Sequence, residues 1–304
     1  MKSVPGSADS RDAAAIRRAL GRWHRAYGRH HLPWPQTRDP YAVLVSEVML
    51  QQTQVDRVLP YYESWLTRWP TVGALAATSP AEVIRAWQGL GYNRRALALH
   101  RAACLTVKDH GGSVPVDPLA LRALPGVGGY TAAAVASFAG GIRTTVVDTN
   151  IGRVLARALA GKASVTEAGR AMVVAAAHGL LPPRAARSHN LALMDLGATV
   201  CSARDPACHR CPLRARCEWR SLGSPAAVGP PKPAQRFEET SRFARGRIVD
   251  ALRSASSLTA GEIEAELPAI HAGKLHAYLV ALEHDGMISR NGDRWSLPGG
   301  AATA

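Results

Sequence analysis

Apolar residues return every three or four positions along most of this chain, a period that predicts helices. Ile16, Leu20, Trp23 and Tyr27 open the pattern over 11–27, and His31-Leu32-Pro33-Trp34-Pro35 ends it. Further helices are expected over 43–52, 56–65, 94–108, 118–123, 131–138, 151–159, 167–180 and 189–200. Two short ones fall between 71 and 87, the second announced by Ser79-Pro80, a cap followed by proline in the first turn. Strand-like alternation is nearly absent until the C-terminus, so the main body reads as all-α. Ser224–Gln235 is rich in proline and predicts a linker at 223–235. Beyond it, periodicity predicts helices over 242–255, 259–266 and 272–285. A hairpin follows, turning at Asn291-Gly292 between 287–290 and 294–297. Three helices and a hairpin are the layout of a winged helix. No repeat of solenoid length is present.

A length of 304 residues suits two domains with ample core. No apolar run reaches the ~18–20 residues that span a bilayer, and the polar run from Met1-Lys2-Ser3 has no leader pattern. The chain is therefore read as soluble and intracellular. Its 37 basic residues against 23 acidic ones give a formal charge of +14, which favours a polyanionic partner through counterion release. A membrane surface competes, but no basic amphipathic helix with an aromatic apolar face is visible. Nearly all the cations are arginine; lysine occurs only at Lys2, Lys108, Lys162, Lys232 and Lys274. Genomic base composition accounts for part of that bias, so arginine richness carries little weight alone.

Four of the five cysteines, Cys201, Cys208, Cys211 and Cys217, fall in one arginine-rich stretch spaced C-x6-C-x2-C-x5-C. So short a segment can close around one metal centre, and the spacing allows zinc, a cubane iron–sulfur cluster or disulfides. A chain of this size without a leader needs no disulfide framework. Cys104 lies elsewhere and is expected to be buried in its helix.

Three further segments carry chemistry. In Leu124-Pro125-Gly126-Val127-Gly128-Gly129-Tyr130 the glycines precede a helix, where backbone amides can approach a phosphate. Helices joined this way form a helix–hairpin–helix, although any glycine-rich junction would look similar; no strand precedes it, which disfavours a nucleotide fingerprint. Asp148 lies between Val146-Val147 and the next helix, as a plain N-cap or as a carboxylate facing DNA. Glu47 sits in the apolar run around Val45-Ser46 and Val48-Met49. Burial there would raise its pKa, as a general acid requires, unless an arginine pairs with it.

The hairpin, the aspartate about twenty residues on and the cysteine loop together resemble the endonuclease III superfamily of DNA glycosylases. HLPW (31–34), SEVMLQQTQV (46–55), GLGYNRRALALH (89–100), LPGVGGYTAAAV (124–135), VVDTNIGRVLAR (146–157) and ALMDLGATVC (192–201) are similar to its adenine-specific MutY family. The likeness covers roughly residues 11–222. It implies an all-α, two-lobed helix–hairpin–helix glycosylase fold with a small C-terminal winged-helix-like domain. Residues 37–147 would form a six-helix barrel, 11–36 and 148–222 an iron–sulfur cluster domain, and 236–304 the third, with DNA in the cleft between the two lobes. The cysteines would then hold one 4Fe–4S cluster. The partner implied is double-stranded DNA with mismatched or oxidised base pairs, met by a monomer in the cytoplasm of a bacterium, on its nucleoid.

By position, Glu47 matches the acid that protonates the adenine ring. Asp148 matches the carboxylate that stabilises the oxocarbenium-like sugar, a division of labour suited to two carboxylates flanking a glycosidic bond. Tyr130 and Asn150 match polar neighbours of that centre. Gln52 and Tyr92 match residues that wedge into the duplex when the base is flipped, and Leu124, Gly126, Val127, Gly128 and Gly129 match the DNA-binding hairpin. Bifunctional relatives place a lysine where Tyr130 stands, so a monofunctional enzyme is expected, leaving an abasic site. Arg204, Arg210, Arg214 and Arg216 are candidate phosphate ligands or plain solvated charge.

Two departures stand out. Leu191 occupies a place that is often Glu or Gln in the family, and residues 236–304 are too short for the usual lesion-sensing domain. The acidic stretch Glu262–Glu266 argues against that module being a basic clamp throughout. The nearer rival is a glycosylase removing thymine or uracil opposite guanine, which also suits tyrosine at 130. The rival from another class is a non-catalytic DNA-binding regulator, which would need neither Glu47 nor Asp148.

Overall fold

The computed structural model describes residues 10–226 and 235–299. Most of the expected linker, 227–234, lies outside the described residues, as do 1–9 and 300–304. Contacts divide the chain into two compact units, one of residues 1–43, 116–122 and 128–231, the other of 44–115, 123–127 and 232–304.

The first unit is built around the helix Thr149–Ala160, which packs against Arg170–Leu180, Ala186–Thr199 and Glu218–Ser221. Its apolar stripe, Ile151, Val154 and Leu155, is buried, and Gly161 ends it in the left-handed conformation that glycine favours. The helix expected over 167–180 is two: Gly169, at φ +85, separates Val165–Ala168 from Arg170–Leu180. Ser10–Tyr27 packs against Ala186–Thr199, and Asp195 fastens the pair. Its carboxylate accepts from His24 Nε2 at 3.1 Å, from Arg29 Nε at 2.7 Å and from the Arg29 amide at 2.9 Å. Burial works to raise the pKa of Asp195, but these donors hold it below the ordinary carboxylate value. A depressed folded pKa contributes stability above the unfolded value, lost as pH falls through the folded one. Asp195→Asn is accordingly expected to lower stability by about 1–3 kcal/mol near neutrality. That gap should narrow below about pH 4, which urea unfolding at stepped pH would check.

The second unit holds Val55–Arg68, Val72–Ala76, Pro80–Ala86 and Arg94–Asp109. Thr71 and Ser79 cap the two short helices, Ser79 as its sequence predicts. Trp65 lies edge-on to Trp69 at 4.6 Å and to Trp87 at 5.4 Å. The C-terminal segment belongs to the same unit, with helices Ser241–Ser254, Ala260–Ala265 and Leu275–His284. Its hairpin strands, β2 Ser289–Asn291 and β3 Arg294–Ser296, are joined by an unpredicted β1, Leu258–Thr259. The sheet order is β1-β3-β2, antiparallel throughout. One hydrophobic cluster runs from Ile248, Leu252, Leu279 and Trp295 into Ala81, Ile84 and Leu97. Asp285 adds ion pairs to Arg94 at 2.7 Å and to Arg245. Two carboxylates of the acidic stretch are engaged locally: Glu262 closes a capping box on Thr259, and Glu266 pairs with Arg247 at 3.1 Å. Cys104 is exposed, not buried as its helix suggested, because it faces away from the packed stripe of Ala102, Ala103 and Thr106. Among the described residues no helix is long and apolar enough to cross a membrane.

Candidate functional site

The junction at 124–130 joins the helices Pro118–Ala123 and Gly129–Phe138. Leu124 and Val127 are buried and anchor the hairpin, whose Val127 amide donates to Leu124 O at 3.1 Å. Gly126 has φ +75, and a Cβ there would stand 2.6 Å from the Ala98 Cβ, so the turn admits only glycine. Gly128 and Gly129 differ: a Cβ at either would meet nothing within 4 Å. Their lack of side chains serves no internal packing and leaves the helix N-terminus open to an approaching anion. Tyr130 follows in the first turn, half-buried.

Asp148 caps the helix Thr149–Ala160, its Oδ1 accepting from the Ile151 amide at 2.7 Å. The structural reading of that residue is therefore correct as far as it goes. Its other oxygen accepts from Asn150 Nδ2 at 3.0 Å, and Asn150 Oδ1 in turn accepts from Arg153 Nη2 at 2.9 Å. Arg153 also donates to Gly197 O and Cys201 O, each at 2.7 Å. Gly197 permits this close packing, since a Cβ would lie 2.7 Å from Asn150. A polar chain thus runs from Asp148 to the start of the cysteine loop.

The loop is held by a second arginine. Arg157 is 5% exposed and donates to Ser202 O at 2.7 Å, Ala203 O at 2.8 Å and Ala163 O at 3.2 Å. It also lies 3.5 Å from Cys201 Sγ and stacks over Trp219 at 4.6 Å. All four thiols are free of disulfides. Burial pushes Cys211 up to about 11, with Cys201, Cys217 and Cys208 adding to it, and raises Cys217 in the same way. Among the described residues, no group of three His, Cys, Asp or Glu side chains is set to hold a single metal ion. The fit of this loop to a metal centre rests on its donor chemistry, which is all sulfur; His209 and Asp205 in the same stretch are exposed. Arg204, Arg210, Arg214 and Arg216 are exposed too, available to phosphates or to water.

Glu47, Gln52 and Tyr92 belong to the second unit. Glu47 is 5% exposed, in the helix Pro40–Met49. That helix ends three residues earlier than the apolar pattern implies, and Gln52 lies in the turn beyond with φ +57. Tyr92 also has positive φ, at +48. Two non-glycine residues in this region are strained, and such strain persists only where the surroundings impose it. Arg95 imposes it. Buried to 9% exposure, its Nη1 donates to Val48 O, Met49 O and Gln51 O at 2.6–2.9 Å. Its Nη2 donates to Thr53 Oγ1, Leu90 O and Gly91 O, each at 3.0 Å. One guanidinium therefore clamps both turns, and burial lowers its pKa to about 10. Gln52 and Tyr92 end on the rim of one cavity.

Arg95, Arg153 and Arg157 are the residues that sequence reading missed. All three lie inside quoted motifs, Arg95 in GLGYNRRALALH and Arg153 and Arg157 in VVDTNIGRVLAR, yet nothing local distinguishes them from surface arginines. Leu191 is 9% exposed and packs in the core of its helix.

The profile of the HhH-GPD superfamily of base excision DNA repair proteins matches residues 45–174. An adenine DNA glycosylase of Mycobacterium tuberculosis is 45% identical over 279 residues, covering 90% of this chain and 91% of that protein. Residues 1–235 alone could not supply 90% of the chain, so the match enters the C-terminal segment. A thermostable thymine-DNA glycosylase has a similar structure, with a TM-score of 0.62 and 29% identity over 69% of this chain and 97% of that one. A trapped endonuclease III–DNA covalent intermediate shares the fold at a TM-score of 0.59, with 23% identity over 69% of this chain and 98% of that one.

Proposed function

Because this chain belongs to the adenine DNA glycosylases of the HhH-GPD base excision repair superfamily, we propose that it hydrolyses the N-glycosidic bond of adenine paired with 8-oxoguanine or guanine. The observation that carries this reading is the seating of Asp148, capped onto its helix and fixed by Asn150. A carboxylate so held can stabilise positive charge developing on the deoxyribose, while Glu47, shielded from water, delivers a proton to the departing base. Tyr130 stands where a lysine nucleophile would form a Schiff base, which supports simple hydrolysis to an abasic site. Gln52 and Tyr92 would occupy the space left in the duplex, and Gly128 and Gly129 would meet backbone phosphates. The partner is double-stranded DNA, met in the cytoplasm of a bacterium by a monomer.

Cys201, Cys208, Cys211 and Cys217 would hold one 4Fe–4S cluster. Bound there, it would fix the 201–217 loop and present Arg204, Arg210, Arg214 and Arg216 to phosphates. Cys211→Ser is expected to abolish the visible absorption that such a cluster would give the purified protein and to weaken duplex binding. Purified protein carrying zinc and no iron would overturn the cluster assignment.

The reading is tested by single-turnover base release from duplexes containing A:8-oxoguanine, A:G, A:C, T:G and U:G. Fast release from A:8-oxoguanine is the expected result. Release confined to T:G or U:G would replace adenine by a pyrimidine, and no release from any duplex would leave a DNA-binding protein.

A further inference from the structure

The helix Ser10–Tyr27 carries five arginines and one acidic residue, Asp12. At about 100° per residue, Arg11, Arg18, Arg22 and Arg25 fall within about 60° of arc, opposite the buried Ala13, Ile16, Leu20 and Trp23. All four arginines are exposed. The fifth, Arg17, lies off that arc and donates to Leu180 O at 2.8 Å and to Gly179 O at 2.9 Å. Among the described residues none of the four pairs with a carboxylate, whereas nearby His24 and Arg29 hold Asp195 between them.

This arrangement works against the helix that bears it. Like charges three and four positions apart, as in Arg18, Arg22 and Arg25, repel one another. A solvated face rich in charge relieves such repulsion by alternating its signs, and this face has no acid among its cations. The floor beneath the guanidiniums is small, made of Ala14, Ala15, Ala19, Gly21 and Ala26. Arg25 folds back over it, its Nη1 3.7 Å from where a Gly21 Cβ would stand, which draws it toward Arg18 and Arg22. The row runs about 21 Å along the axis, the rise of about six base pairs of duplex. It offers no ring on which a base could stack and no apolar anchor for a protein partner. What it matches is a straight, rigid line of phosphates.

Its direction also matters. Ala186–Thr199 and Arg170–Leu180 each pack against both this helix and Thr149–Ala160, forming a layer between the two. The arginine face is turned away from that layer, and so from Asp148 at the start of Thr149–Ala160.

We propose that Arg11, Arg18, Arg22 and Arg25 form a second contact for duplex DNA, taking the backbone of a separate segment while the first lies at Asp148. Recognition is by phosphate alone and is blind to sequence. The second contact lets the protein pass from one segment to another through a complex with both, with no free intermediate. It rests on the glycosylase reading above only for the segment at Asp148.

The test uses the full chain and undamaged duplexes. Protein is loaded on a fluorescent duplex, and the rate of its release is followed as unlabelled duplex is added. With wild-type protein the rate should rise in proportion to the added duplex. Replacing Arg18, Arg22 and Arg25 together by glutamine, a good helix former, leaves the buried stripe intact. That variant should lose about ten-fold or more of the dependence on added duplex. Lysine at the same three positions should keep most of it, since a backbone contact needs charge more than a planar fork. Wild-type release that ignores the added duplex would overturn the proposal, as would a glutamine variant that transfers like the parent. An equal loss of affinity for a single duplex would place the arginines at the first contact and overturn it too. Transfer driven better by single-stranded RNA than by duplex would overturn it in favour of an RNA surface. Because these duplexes carry no mispair, protein that transfers but releases no adenine from A:8-oxoguanine would refute the glycosylase reading alone.

Discussion

Replacing Glu47 by glutamine is expected to slow adenine release by about 10²–10⁴-fold, the usual contribution of a positioned general acid. The side chain is 5% exposed on the last turns of the helix Pro40–Met49. Glutamine keeps its shape and hydrogen-bonding capacity but has no proton of comparable acidity to give. The helix and its neighbours should therefore stand, and duplex affinity should change little. A variant within three-fold of the parent would remove Glu47 from the chemistry. Asp148→Asn makes the informative partner experiment. Asparagine caps a helix as well as aspartate does, so this change removes negative charge from the centre while sparing the helix start.

Arg95→Met is expected to lower the stability of its unit by about 3–5 kcal/mol. It would strip donors from five carbonyls that the guanidinium now serves, and each buried acceptor left unsatisfied costs about 1–3 kcal/mol before water enters. Val48 O and Met49 O are at the end of a helix, where a cation is also favoured by the dipole. Without the clamp, nothing comparable opposes the return of Gln52 and Tyr92 to ordinary backbone angles. Lysine would not substitute, since one ammonium cannot reach two turns with six bonds. Chemical unfolding monitored by tryptophan fluorescence would report the loss, with Trp87 4 residues from Gly91 O, to which its own indole N–H donates. A change below about 1 kcal/mol would mean that backbone bonding alone sets the two turns.

What the sequence disclosed here was local. Helix periods, the Ser79 cap, the Asn291-Gly292 turn and the hairpin glycines each act within a few residues, and each left a pattern in the chain. Leu124 and Val127 were legible as part of a motif, and their burial gives the motif its anchor. Misreadings arose where a single residue or a distant partner decides. Gly169 breaks a helix whose apolar period continues across it. Leu258-Thr259 is too short to alternate and becomes a strand only because Trp295 and Arg294 lie beside it. Arg95, Arg153 and Arg157 make their decisive bonds 42–48 positions away. In a chain so rich in arginine, composition could not separate these from solvated charge. The four cysteines were legible, being close in sequence; the arginine that fastens their loop was not.

The C-terminal helices share their apolar core with Ala81, Ile84 and Leu97, and this has a genetic corollary. A premature stop codon after residue 235 would spare every candidate residue for excision and for the metal centre. It would nevertheless leave that apolar face bare, inviting aggregation and proteolysis. Such an allele would raise mutation rates through scarcity of enzyme, and lowering the growth temperature should partly rescue it, as it would not rescue a lesion at Glu47.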